Sequence, residues 1–170
     1  SSAGAIDVDG TTVTLSGPTT GTSVAIDATG NIDVDDVAAT TTTARIVSTT
    51  GEVDAGDVSG TTGVTISGTD VDLTGTNGSV QSSGGAVSVT ASGGGANNIS
   101  STGVFDIDGD SVALSGTETG TSIDIDADNG TVSANGLTAT GTSVTIDATG
   151  NIDVDDVTAT ATGIARVVSS

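Results

Sequence analysis

The chain has 170 residues, enough for one domain, and contains 26 Gly, a single aromatic residue (Phe105) and no His, Cys, Met, Trp or Tyr. Its net charge of −20, from 22 acidic residues against two Arg, excludes nucleic acid and anionic membrane surfaces as natural partners. Without His or Cys, no Ser–His or Cys–His nucleophile pair can form, so we expect no enzyme. No apolar run reaches the roughly 20 residues of a membrane span.

Short apolar-x-apolar segments, separated by turn residues, follow one another along the chain. In VTIDATGNIDVDDVTATATG, from Val144, the apolar residues alternate over residues 144–146, 152–154 and 157–159. A period of two predicts strands, and the Gly, Asn and Asp between them predict turns. The pattern therefore predicts three short strands in about 20 residues.

The sequence repeats itself at long range. TSVAIDATGNIDVDDVAATTTT from Thr22 returns as TSVTIDATGNIDVDDVTATATG from Thr142, an offset of 120, and GAIDVDG from Gly4 returns as GVFDIDG from Gly103, an offset of 99. Both offsets are near multiples of 20, so we expect about eight units of one phase. They would start near Ile6, Val24, Ile46, Val64, Val87, Phe105, Ile123 and Val144, with a ninth begun at Ile164.

Repeats of this length made of strands and turns predict a β-solenoid. We expect one all-β domain over residues 1–170, a right-handed parallel β-helix with three faces and about eight coils, each coil stacked about 4.8 Å from the next. A disordered chain and an antiparallel β-sandwich are the alternatives, but the first does not explain the alternation and the second does not explain the register. The residues expected to be buried are Val24, Ile26, Ile32, Val34, Val144, Ile146, Ile152 and Val154.

The acidic residues alternate with the inward apolar ones and should point outward, in columns. We expect Asp54 to lie over Asp33, Asp57 over Asp36, and Asp147 over Asp126. We interpret them as a solvated acidic surface, neutralised by solvent cations, that keeps a fibre soluble. The alternative is weak calcium binding, since calcium prefers carboxylate and carbonyl oxygens; we expect no other cofactor and no catalytic residue. The calcium candidates are Asp33, Asp35, Asp36, Asp54, Asp57, Asp106, Asp108, Asp110, Asp126 and Asp147.

The segment DIDGDS, which contains Asp106, Asp108 and Asp110, is similar to the start of a calcium-binding loop. Ser111 stands where that loop needs Gly, and Thr117 stands where it needs Glu. The alternation of apolar and acidic residues in this segment already predicts a strand.

The two Arg residues occupy equivalent places, Arg45 in ARIVS and Arg166 in ARVVS. We expect each to form a salt bridge with a neighbouring coil.

Threonines form a further regular pattern. A flat outward threonine face would suit ice or glycan binding, which is the alternative to a purely structural function, although the β-propensity of Thr also explains the pattern. The residues concerned are Thr138, Thr140, Thr158, Thr160 and Thr162.

The unit VTIDATGNIDVDDVTATATG, residues 144–163, resembles the repeats of filamentous haemagglutinin-type adhesins, the large two-partner-secreted exoproteins of bacteria. Those repeats carry a similar apolar-x-apolar, A-x-G-N-I-x-V signature. The resemblance covers residues 22–63 and 130–163 well and the remainder loosely. It implies a right-handed β-helical shaft that is exported unfolded and folds outside the cell.

We therefore expect an extracellular or cell-surface structural protein, a segment of a longer fibre or adhesin shaft. Its expected partners are solvent cations and further copies of itself, stacked head to tail through uncapped end coils. The copies would be joined either in one giant chain or as subunits of a filament, because open sheet edges are templates for strand addition.

Overall fold

A computed structural model describes residues 1–74, 79–92, 98–101, 104–115, 117–141, 143–160 and 163–169. These residues form strands and turns but no helix, and so none that could cross a membrane. In chain order the strands are β1 (Ile6–Gly10), β2 (Val13–Leu15), β3 (Thr19–Gly21), β4 (Val24–Ala28), β5 (Ile32–Val34), β6 (Val37–Ala39), β7 (Thr43–Ser48), β8 (Val53–Ala55), β9 (Val58–Gly60), β10 (Gly63–Gly68), β11 (Val71–Leu73), β12 (Ser79–Ser82), β13 (Val87–Ala91), β14 (Asn98–Ser101), β15 (Val104–Gly109), β16 (Val112–Ser115), β17 (Thr117–Gly120), β18 (Ser122–Ala127), β19 (Val132–Ala139), β20 (Ser143–Ala148), β21 (Ile152–Ala159) and β22 (Ile164–Ser169).

All the strand pairs are parallel, and the chain winds as a β-solenoid of about seven turns with three faces. The first face holds β1, β4, β7, β10, β13 and β16, and the second holds β2, β5, β8, β11, β14 and β17. β19 and β21 each span both of these faces, which joins the two into one sheet. The third face is a separate eight-stranded sheet of β3, β6, β9, β12, β15, β18, β20 and β22. The predicted all-β, three-faced parallel solenoid is confirmed.

The core consists of inward columns of small aliphatic side chains. Val8, Ile26, Ile46 and Ile66 lie in register on the first face, one above the other. Because three short strands enclose a narrow interior, Val and Ile fill most of it at close packing. Phe105 is the one aromatic side chain of the chain, and it is fully buried in this core.

Six of the eight residues predicted to be buried are buried in the structure. They are Val24, Ile26, Ile32, Val34, Val144 and Ile146. Ile152 and Val154 are only partly buried, so the prediction was wrong for these two. Both lie on β21, which in the described chain pairs with β19 on one side and has no strand above it.

The predicted coil starts share one face only in the first half of the chain. Val24, Val64 and Val87 lie in one column of the first face, and Ile46 lies in the next column of that face. The expectation of one constant phase was wrong for the later starts, which lie on the third face. These are Phe105, Ile123, Val144 and Ile164.

One longer coil causes this change of face. Val24 pairs with Ala44, 20 residues later, whereas Val87 pairs with Val112, 25 residues later. In this longer coil β15, of six residues, lies on the third face before the chain returns to the first face. From β15 onward the third-face strands β15, β18, β20 and β22 have six residues each, while β19 and β21, of eight residues each, span the first and second faces.

The duplicated stretch therefore lies on different faces in its two copies. The second and third strands predicted in the later copy are one continuous strand, β21, so that part of the prediction was wrong, whereas the first copy has two separate strands, β5 and β6. In the first copy the segment from Val24 forms β4 on the first face, and in the second copy the segment from Val144 lies in β20 on the third face. The turn contacts are also repeated: Ser48 Oγ donates to the Gly30 carbonyl at 2.8 Å, and Ser169 Oγ donates to the Gly150 carbonyl at 2.8 Å. The repeating unit is a group of strands and turns, not a coil of fixed orientation.

Candidate functional site: the acidic ladders

Outward aspartates lie in register on all three faces, as the single pair Asp9 and Asp27 on the first face and as larger groups on the other two. The second-face ladder consists of Asp33, Asp54 and Asp72, on β5, β8 and β11. The strands alternate, so the apolar residues on either side of each Asp point into the core and the carboxylate points outward. The predicted position of Asp54 over Asp33 is confirmed.

The third face carries two parallel columns, which together we call the third-face ladders. One column contains Asp106 and Asp124, and the other contains Asp108, Asp126 and Asp147. The predicted stacking of Asp126 and Asp147 is confirmed. Like charges at the strand spacing repel by about 0.9 kcal/mol in water, so each ladder concentrates unfavourable charge.

Asp72 and Asp124 belong to these ladders but were absent from the sequence-based candidates. Each lies between two inward apolar residues, in VDL and in IDI. The same period-two signal that marked the other aspartates could have identified them.

Partial burial and neighbouring carboxylates shift the acidity of the ladders. The pKa of Asp54 is raised by burial first and then by Asp72 and Asp33. The pKa of Asp108 is raised to about 6, by burial first and then by neighbouring acids, of which Asp106 has the largest effect. Asp54 and Asp108 thus hold protons more tightly than free carboxylates do.

Three further aspartates of the third-face ladders have a raised pKa. Burial is the main cause of the raised pKa of Asp106, Asp124 and Asp126, and neighbouring aspartates raise these values further. Arg166 acts in the opposite direction on Asp124 and Asp126.

Three of the calcium candidates lie at corners and accept backbone hydrogen bonds from a neighbouring coil. Asp36 Oδ1 accepts from the Asp57 N–H at 3.0 Å, and Asp57 Oδ1 accepts from the Ser79 N–H at 3.0 Å. Asp35 Oδ2 accepts from the Gly17 N–H, where the chain turns with a positive φ of 95°. These carboxylates satisfy turn N–H groups, so their position has a structural reason. The predicted stacking of Asp57 and Asp36 is confirmed.

The segment with the calcium-loop signature forms a strand and a turn. Asp106 and Asp108 lie on β15, and Asp110 follows it and accepts from Asn129 Nδ2 at 3.1 Å. An extended strand followed by a turn spaces these three carboxylates along the chain, whereas a calcium loop wraps its ligands around the ion. Among the residues that the structure describes, no group of three or more acidic side chains is placed to hold a metal ion. The side chain of Thr117 lies outside the described residues.

Each Arg bridges to an aspartate of the preceding coil. Arg166 Nη1 lies 2.6 Å from Asp147 Oδ2, and Arg45 Nη1 contacts Asp27 Oδ1. The predicted salt bridges are confirmed, and both are solvent-exposed.

The threonines have two different structural positions. Thr119, Thr138 and Thr158 lie in register on the second face. Thr140 and Thr160 lie at the following corner, where each hydroxyl donates to a carbonyl of the preceding coil, at 3.2 and 3.1 Å. The corner threonines therefore satisfy backbone acceptors. Thr162 and Ser170 lie outside the described residues.

Glu118 is the functional candidate that sequence reasoning missed. It lies on β17 in an inward column and is 0% exposed. Burial raises its pKa to about 7. Its sequence, TETG, has no flanking apolar residues, so nothing in the pattern predicts that this side chain points inward.

These features define a β-solenoid repeat protein with outward acidic ladders. Comparisons with protein-family models, with curated proteins and with solved structures find no match. The fold is that of a β-helical repeat protein, and membership of the haemagglutinin-type adhesins stays a prediction.

Proposed function

We propose that this chain is a segment of an extracellular structural shaft, a fibre or adhesin stalk, with no catalytic activity of its own. The observation that carries the proposal is the parallel hydrogen-bonded ladder, which extends along all three faces from β1 to β22. A solenoid of this kind is stabilised by contacts between neighbouring coils, so it can be lengthened without limit.

The surface chemistry supports this proposal. A net charge of −20 opposes lateral aggregation of the exposed sheets. The ladders require screening by solvent cations, which a saline exterior would supply. The resemblance of residues 144–163 to adhesin repeats supports a location outside the cell.

We further propose that like coils cover the two outermost levels, supplied by a tandem repeat or by another copy. In the described chain β22 pairs only with β20. Val167, the register partner of the buried Ile146, is 49% exposed, whereas Ile164 lies in an outward column with Ser143 and is 72% exposed. A strand added at this edge would bury Val167 and continue the ladder.

Proteins that contain one, two or three tandem copies of the sequence test the proposal that the chain is part of a shaft. Each copy spans eight strand levels on the third face, so small-angle scattering should show a rod that lengthens by about 38 Å per copy at constant cross-section. A radius of gyration that grows as for independently tumbling domains would contradict the proposal. Antibody labelling of intact and of permeabilised source cells tests the location: labelling that requires permeabilisation would overturn it.

The threonine array supports a second candidate function, recognition of ice or of a glycan. Thr119, Thr138 and Thr158 repeat at the strand spacing on one face. Thermal hysteresis and glycan-array binding would detect it, and T138V/T158V should abolish the signal. A wild-type chain inactive in both assays would rule it out.

A further inference from the structure

Glu118 occupies a place that the fold otherwise gives to aliphatic residues. Its register partners on the second face are Ile99 on one side and Leu137 on the other. Lower in the same column lie Val53 and Val71. A carboxyl group therefore replaces an aliphatic side chain inside the core, in the coil that follows the change of face.

The carboxyl group has few polar partners. Oε2 accepts a hydrogen bond from the Gly136 N–H at 3.4 Å, and Oε1 has no partner among the described residues. A buried carboxylate without a cation or several strong donors is unfavourable, whereas the neutral acid is tolerated. This geometry favours the protonated form of Glu118.

The strands packed against β17 supply no compensating charge. β14 and β19 contain no titratable residue. The acids of β15 and of the following strand β18 alternate with buried residues and lie at outward positions. These acids are Asp106, Asp108, Asp124 and Asp126.

We propose that Glu118 is a protonation-controlled weak point of the solenoid: the neutral carboxyl keeps its coil closed, and ionisation opens β16, β17 and β19 locally so that the carboxylate reaches water. Burial raises the pKa of Glu118 from 4.5 to about 7 in the closed form. In the open form the pKa returns to its ordinary value. As the pH rises from about 4.5, the open form loses its proton first, so opening becomes more favourable until the closed form also ionises near pH 7.

The titration of Glu118 can be measured in the unaltered protein. The chain has only two Glu residues, Glu52 and Glu118, so labelling with ¹³C at the glutamate carboxyl carbon gives two NMR signals, assigned with E52Q. We expect the Glu118 signal to titrate near pH 7, well above the Glu52 signal. Midpoints of both signals below pH 5 would overturn the proposal.

Hydrogen exchange measures the opening itself. After correction for the intrinsic exchange rate, the opening constant of β16, β17 and β19 should rise about tenfold per pH unit between pH 5 and 7. E118Q and E118L remove the ionisable group, so each should lack this part of the rise, while E52Q, which removes a surface carboxylate, should follow the wild type. Strands β4 to β6 provide an internal reference. The proposal fails if the wild type shows no such rise, or if E118Q and E118L retain it in full.

Discussion

Arg166 reaches back across one coil to Asp147, with Nη1 2.6 Å from Oδ2. The same contact joins Arg45 to Asp27, but on the first face and not on the third. In both places an Arg stands two positions from the register partner of the Asp, so the contact is diagonal. The related sequences ARIVS and ARVVS thus make the same Arg–Asp contact on two different faces of the solenoid.

The two salt bridges should therefore make similar small contributions to stability, with a slightly larger loss for R166Q because Arg166 also acts on Asp124 and Asp126. R45Q and R166Q should each lower the free energy of unfolding by less than about 1 kcal/mol at low salt, because both pairs are exposed. Urea denaturation at 20 mM and 500 mM NaCl would measure this, and the effect should nearly vanish at the higher salt as the charges are screened. A loss above 2 kcal/mol for one variant alone would contradict the equivalence of the two faces.

Removing one charge from the second-face ladder should stabilise the protein. Asp54 has an aspartate in register on each side, Asp33 and Asp72. D54N relieves two like-charge contacts of about 0.9 kcal/mol each in water, so we expect a gain of about 1 kcal/mol at neutral pH and low salt.

The matched control for this variant is D153N. Asp153 occupies an equivalent outward place between two apolar residues, in IDV where Asp54 lies in VDA, but its register partner below is Ser133. Its gain should be clearly smaller, and added salt should reduce the difference between the two variants. Equal gains, or a salt-independent difference, would show that register repulsion is not the cause.

Stability should fall as the pH rises from about 4 to 7. The acids with raised pKa hold their protons more tightly in the folded chain than in the unfolded chain. Below about pH 4 both states are protonated and these groups carry no penalty. As the pH rises, the unfolded state releases its protons first and gains relative to the folded state. The shift extends to about 6 for Asp108 and to about 7 for Glu118.

Urea denaturation from pH 4 to pH 8 at low ionic strength measures this dependence. We expect the free energy of unfolding to decline across that range and to level off above pH 7. Calcium or 500 mM NaCl should reduce the part of the decline that arises from the ladders, because cations screen them. A free energy of unfolding that is highest at pH 7 to 8, and that neither EDTA nor salt changes, would contradict this expectation.

Much of the fold could be predicted from period and repeat length alone. Alternation at residues such as Ile32 and Val34 identifies strands, and offsets near 20 identify parallel stacking. The change of face could not be predicted, because the extra residues between Val87 and Val112 include a Gly-rich run, GGGANN, whose sequence does not show on which face the next strand lies. Glu118 was missed for a related reason: which residues point inward depends on the register with β14 and β19, and TETG alone does not determine that register.

Disulfide trapping distinguishes the observed change of face from a constant phase. The chain contains no Cys, so the two engineered cysteines of each variant are its only thiols. Ser88 lies in register with Ala113, and so S88C/A113C should form a disulfide under mild oxidation. A constant phase would instead place Val87 beneath Phe105 and Ser88 beside Asp106, so that S88C/D106C would be linked. Both pairs contain Ser88 on the same strand, which makes each the control for the other. Free thiols counted by mass spectrometry before and after oxidation report the result. Linkage in S88C/D106C without linkage in S88C/A113C would show that all the predicted coil starts lie on one face.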